Sequence, residues 1–136
     1  MPPLVIDTNV VLDAFVFSDA KALALRRELE AGALRWIATA DMREELRRVL
    51  DYPQIAKRLA FHGLAAAGVL DRFDRHAALQ DAAPRAQYAC KDPDDQKFID
   101  LAVQHRALLL SKDREVLKMR KRLVRLGCPP VTALYG

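Results

Sequence analysis

The chain has 136 residues, 51% hydrophobic and 29% charged, with 22 Lys and Arg against 18 Asp and Glu and a formal net charge of +4. That balance excludes a disordered segment, and no run approaches the ~20 apolar residues of a membrane span. One domain over residues 1–136 is expected, burying roughly two-thirds of its unfolded surface, and the mild basic excess permits nucleic-acid binding without requiring it.

The opening Met1-Pro2-Pro3 carries no charged n-region, and the apolar run behind it is too short for a secretory signal, so a cytoplasmic protein is expected. Cys90 and Cys128 have neither metal-ligand spacing nor the pattern of a disulfide framework, and read as free thiols.

In chain order, Leu4-Val5-Ile6 is a short apolar strand that ends abruptly in Asp7-Thr8-Asn9. A helical pattern then runs over residues 9–17, which is how a buried parallel strand meets its crossover helix. The strand delivers Asp7 to the carboxyl edge of a sheet, where open α/β sheets place their ligands. A second helix is expected over residues 21–31, closed by Gly32. Residues 34–38 form a plausible second strand, and Thr39 or Asp41 caps a helix that reaches about Asp51 before Pro53 stops it.

Residues 54–78 read as helices broken at His62-Gly63, and 80–86 as a turn. Tyr88-Ala89-Cys90 is expected as a short strand, with a helix following from Asp95 to about His105. Residues 107–111 form the second clearly buried strand, a basic helix spans 113–126, and 131–134 form a last strand. Alternating strands and helices predict an α/β fold, a three-layer α/β/α sandwich on a mostly parallel sheet.

Helical phase sorts the acids. Met42, Leu46, Val49 and Leu50 make one stripe at ~100° per residue; Glu45 lies at its edge and Glu44 points away. Asp95 heads the stripe of Phe98, Ile99, Ala102 and Val103, whereas Asp94 and Asp100 fall off it. Asp113 closes the 107–111 strand as Asp7 closes the first. Asp7, Asp95 and Asp113 each also have an ordinary reading as a helix cap worth ~0.5–1 kcal/mol, and Asp92, before a proline in a turn, fits that reading best.

Taken together, Asp7, Glu45, Asp95 and Asp113 are four acids at the edge of one core. Such a cluster repels itself unless a cation neutralises it. Without paired cysteines or a His-x-x-x-His spacing zinc is disfavoured, and carboxylate-only sites suit Mg²⁺ or Mn²⁺. Metal-bound water is suited to in-line attack on a phosphodiester.

These residues resemble a PIN domain, a small metal-dependent nuclease fold, over essentially the whole chain. The resemblance rests on Val5-Ile6-Asp7-Thr8-Asn9, Glu44-Glu45-Leu46, Asp92-Pro93-Asp94-Asp95 with Phe98 and Leu101-Ala102, and Ser111-Lys112-Asp113. The Asp-Pro-Asp-Asp block and the ending Gly127-Cys128-Pro129-Pro130-Val131-Thr132 are similar to the branch of toxin components of toxin–antitoxin pairs. The resemblance implies an endonuclease of single-stranded RNA using Mg²⁺ or Mn²⁺, often a homodimer, inhibited by a small antitoxin protein. It places Asp7, Glu45, Asp95 and Asp113 as catalytic and metal-site acids, with Asn9 and Ser111 as polar supports. Lys112 departs from the family's usual glycine, and Glu115 from its second aspartate. Lys112 would either contact phosphate or form an ion pair within the acid cluster and weaken metal binding.

The last helix has two readings. Arg114, Lys118, Lys121, Arg122 and Arg125 share one face, opposite Val116, Met119 and Leu123, as in any solvated amphipathic helix. The same face, with Lys112, would also track RNA phosphates beside Asp113. Aromatics are 7% of the chain, which leaves no evident platform for base readout. Two readings from other classes compete. A phosphoacceptor receiver domain wants adjacent acids after strand one, where Thr8 follows Asp7. A PIN-like module that binds RNA or a protein partner without strong catalysis would not need four acids.

Overall fold

The computed structural model describes residues 2–135. It is an α/β fold whose four-stranded, all-parallel sheet is flanked by helices, in the strand order β3-β2-β1-β4. The strands are β1 (Leu4–Ile6), β2 (Trp36–Ala38), β3 (Ala77–Leu79) and β4 (Leu108–Leu110). The helices are α1 (Thr8–Phe15), α2 (Leu23–Glu30), α3 (Ala40–Leu50), α4 (Pro53–Phe61), α5 (Ala66–His76), α6 (Gln96–His105), α7 (Arg114–Leu117) and α8 (Arg120–Arg125). Short 3₁₀ turns at Ala20–Ala22 and Pro93–Asp95 lead into α2 and α6.

β1 and β2 are buried at every residue, the burial expected of central parallel strands covered on both faces. Their side chains join Phe15, Leu46, Phe73, Phe98, Leu101 and Leu123 in one core. Trp36 lies at its centre, stacked on Phe15 and edge-on to Phe73. Local signals start and stop the helices as the residues dictate. Thr39 caps α3 through a bond from Met42 N to its Oγ1 (3.4 Å), and Pro53 opens α4, where its missing N–H costs nothing. Gly32 follows α2 at φ +71°, a left-handed conformation that favours glycine.

The register matters most for function. β1 pairs with β4 as Leu4↔Leu108, Val5↔Leu109 and Ile6↔Leu110, so Asp7 and Ser111 leave the sheet side by side. The chain runs from β1 outward to β2 and β3, then returns to place β4 on the other side of β1. Strand order therefore reverses between β1 and β4, and the carboxyl ends of strands at such a point form a ligand-binding crevice.

Four expectations are corrected. Residues 88–90 are not a strand, because side chains of α6 satisfy the backbone there. Gln96 Oε1 accepts from Cys90 N (2.6 Å) and Gln96 Nε2 donates to Tyr88 O (3.2 Å), while just upstream Asp100 Oδ1 accepts from Ala86 N (2.8 Å). Residues 131–134 contribute only a single bridge, Thr132 beside Leu110, because the chain turns directly after it, with Leu134 N donating to Thr132 Oγ1 (3.3 Å). The helix expected over 113–126 is two helices. A tight turn, with Met119 N donating to Val116 O (2.9 Å), divides α7 from α8. Residues 77 and 78, expected as the end of a helix, belong instead to β3, which follows α5 without an intervening loop and forms the exposed edge of the sheet.

Candidate metal centre

Asp7 sits at the N-terminus of α1, yet its side chain makes no capping bond to the helix. It accepts instead from Ser111 Oγ (2.7 Å). Ser111 is fully buried, and its Oγ also accepts from Asp113 N (3.1 Å). One hydroxyl thus links the two aspartates that close β1 and β4. Burial pushes the Asp7 carboxyl up, the Ser111 hydroxyl pulls it back, and the charges of Glu45 and Asp113 push it further up.

Asp95 is the most exceptional acid. It stands at the start of α6, also without a capping bond; it is 9% exposed, and its Oδ2 is buried with no hydrogen-bond partner. Burial, followed by the charges of Asp7, Asp113, Asp92 and Glu45, raises its pKa from 3.8 to about 7. A buried carboxylate oxygen without a donor ordinarily costs ~1–3 kcal/mol, so its retention calls for a partner that protein atoms do not supply.

Carboxylate oxygens of Asp92, Asp95 and Asp113 lie within 4.8 Å of one another. Two of the three are also caps: Asp92 Oδ1 accepts from Asp94 N (3.0 Å), and Asp113 Oδ1 accepts from Glu115 N (2.8 Å). For these two the capping and site roles coexist, because each carboxylate commits one oxygen to the backbone and keeps the other. Three converging carboxylates, one of them Asp95 with a buried unpartnered oxygen, fit a small divalent cation such as Mg²⁺ or Mn²⁺.

Glu45 enters from α3. Its Oε2 accepts from Thr8 Oγ1, and its Oε1 pairs with Lys97 Nζ (2.7 Å). Glu44 projects into solvent and is paired with Arg47 (2.6 Å), so the helix phase separates the two glutamates as expected. Glu45 is outside the three-acid cluster, but its charge is felt at both Asp7 and Asp95. Asn9 is exposed on α1; the hydroxyl that supports an acid from this turn belongs to its neighbour Thr8. Lys112 pairs with Asp13 Oδ2 (2.6 Å), which is not one of the cluster acids. Arg114, Lys118, Lys121 and Arg122 are exposed, while Val116, Met119 and Leu123 are buried.

Sequence reasoning missed Lys97, Thr8 and Asp13, and left Asp92 as a cap. Asp13 had a visible signal: an acid in the otherwise apolar run of residues 10–17 is buried, at 7% exposure, and needs a partner. Lys97 had none, because which acid it meets depends on the packing of α6 against its neighbours.

Among the described residues no helix is long and apolar enough to cross a membrane. No curated protein matches the chain at a significant level. A family model described as PIN domain matches residues 3–115, a span that runs from β1 into α7 and contains every acid of the site. PIN domains are generally nucleases and typically use divalent metals. The chain belongs to the PIN-domain family.

Proposed function

We propose that this chain is an endoribonuclease that cleaves single-stranded RNA with Mg²⁺ or Mn²⁺, and that it is the cytoplasmic toxin of a toxin–antitoxin pair. In this reading it acts as a homodimer and is restrained by a small antitoxin protein. The observation that carries the catalytic part is the unpartnered Oδ2 of Asp95 within an acidic cluster at the switch point of the sheet.

Asp92, Asp95 and Asp113 would hold the ion, with Asp7 beside them and Glu45 at the rim. When bound, the ion supplies an activated water and stabilises the charge that develops on the phosphate. The chain's own contribution is to place its groups in advance. Ser111 fixes Asp7, backbone caps fix Asp92 and Asp113, and Thr8 with Lys97 fixes Glu45. Groups fixed in this way need not reorganise during reaction, which is where such sites gain most of their rate. The exposed Arg114, Lys118, Lys121 and Arg122, in the helices that follow Asp113, support a backbone-tracking surface for RNA. Lys112 adds to it only if it leaves Asp13.

The test is a panel of labelled single-stranded RNA, single-stranded DNA and duplex DNA, each with Mg²⁺, Mn²⁺ or EDTA, with Asp7→Asn run beside the native chain. Metal-dependent cleavage of RNA alone, abolished in the variant, is the expected result. Cleavage that survives unchanged in Asp7→Asn overturns the assignment of the activity to this site, and preferential cleavage of DNA overturns the substrate.

A further inference from the structure

Among the described residues, Lys97 is the one cation within ion-pair distance of any of the five site acids. It is not a loose surface lysine. Its side chain is 25% exposed, and its ammonium is held from two sides, by Glu45 Oε1 (2.7 Å) and by the backbone carbonyl of Asp94 (2.7 Å). That carbonyl belongs to the same 3₁₀ turn that presents Asp95. Glu45 therefore has both oxygens engaged, one by Thr8 and one by Lys97, while the oxygens that converge elsewhere come from Asp92, Asp95 and Asp113.

Nuclease sites with two metals set the ions ~3.5–4 Å apart and need acids on both sides of the pair. Here the acid on the α3 side already has its cation, and that cation is part of the protein. We propose that the Lys97 ammonium stands in the place of a second divalent ion, so that the site takes one ion per chain, with Glu45 positioning Lys97 instead of ligating metal. This inference rests on the acidic cluster being a metal site and deepens that reading. A second ion at Glu45 would have to displace the ammonium or bind against its charge. The exchange is testable, because removing the ammonium frees a carboxylate whose charge is felt at both Asp7 and Asp95.

The experiment is equilibrium binding of Mn²⁺ to the purified full chain, following the paramagnetic signal of free Mn²⁺, above neutral pH. The native chain and Lys97→Arg should each bind one ion, and Lys97→Gln should bind a second. Glu45→Gln should still bind one, with affinity within a few-fold of native. Asp95→Asn should lose the native ion, which separates the site itself from its stoichiometry. Two ions in the native chain, or loss of the tight ion in Glu45→Gln, would overturn the role of Lys97 while leaving the metal site standing. Unchanged stoichiometry in Lys97→Gln would overturn it as well. Absence of binding in the native chain, or binding indifferent to Asp95→Asn, would overturn the metal site and the inference together.

Discussion

Ser111 and Asp7 are 104 residues apart in the chain and 2.7 Å apart in the fold, hydroxyl to carboxylate. The bond joins the ends of β1 and β4, and the same hydroxyl receives the backbone N–H of Asp113. Ser111→Ala leaves a buried carboxylate oxygen without its donor, a loss of ~1–3 kcal/mol. The donor favours the charged form of Asp7, so the loss should be greater at high pH than at low pH. Denaturant melts of the metal-free chain at both conditions check this; a variant that melts like the native protein at both would show that the bond is dispensable.

Asp95 gives a pH dependence of defined sign. Its carboxyl titrates at about 7 in the fold against an ordinary 3.8, so between those values the native state holds a proton that the unfolded chain has lost. Stability of the metal-free protein should therefore fall as pH rises through that window, with the cost fully present above it, on the order of 4 kcal/mol for a shift of this size. The raised carboxyl of Asp7 acts in the same direction. Asp95→Asn should be the more stable protein at about pH 8 and lose most of its advantage near about pH 4. Parallel native and variant curves across that range would contradict the assignment.

Glu44 and Glu45 are adjacent and chemically identical, and the structure gives them different surroundings. Glu45→Gln weakens the hold on Lys97 and removes a charge from the site, and cleavage should fall ~100-fold, the scale of losing one preorganised electrostatic group. Glu44→Gln removes a solvent-exposed pair with Arg47, and should leave the rate within a few-fold and the melting behaviour unchanged. Initial rates in saturating Mn²⁺ decide between them. A dead Glu44 variant beside an active Glu45 variant would reverse the account.

The basic residues after Asp113 should contribute charge without base readout. Converting Lys118, Lys121 and Arg122 to glutamine should weaken all single-stranded RNAs alike and reduce the slope of log affinity against log salt by ~0.7 for each phosphate that is no longer neutralised. Lys118 also meets Glu115 (3.2 Å) and Arg122 lies over Tyr88 (5.9 Å), so these two should contribute less than Lys121. An unchanged salt slope with an altered cleavage position would point to base contacts.

What the sequence made legible follows from locality. β1 and β4 are apolar runs ended by small polar residues, so both strands and the acids that close them, Asp7 and Asp113, could be read directly. The phase of α3 separated Glu45 from Glu44 because one helix carries its own ruler. β3 was hidden because Ala77-Ala78-Leu79 are good helix formers continuing from α5, and only pairing with β2 makes them a strand. The segment 88–90 had strand-like residues, but Gln96 satisfies its backbone at both ends from a neighbouring helix. Lys97 meeting Glu45 across 52 positions and Asp92 joining Asp113 are products of packing, which no local pattern encodes.

If the acids around Asp95 form a seat for a divalent cation, the bound ion must stabilise the fold by linkage. Thermal melts of the native chain with and without Mn²⁺ should differ by ~2.7 kcal/mol when the ion is at 100 times its dissociation constant. In Asp7→Asn combined with Asp113→Asn the same addition should change almost nothing. Equal shifts in both proteins would place the bound ion elsewhere and contradict the account.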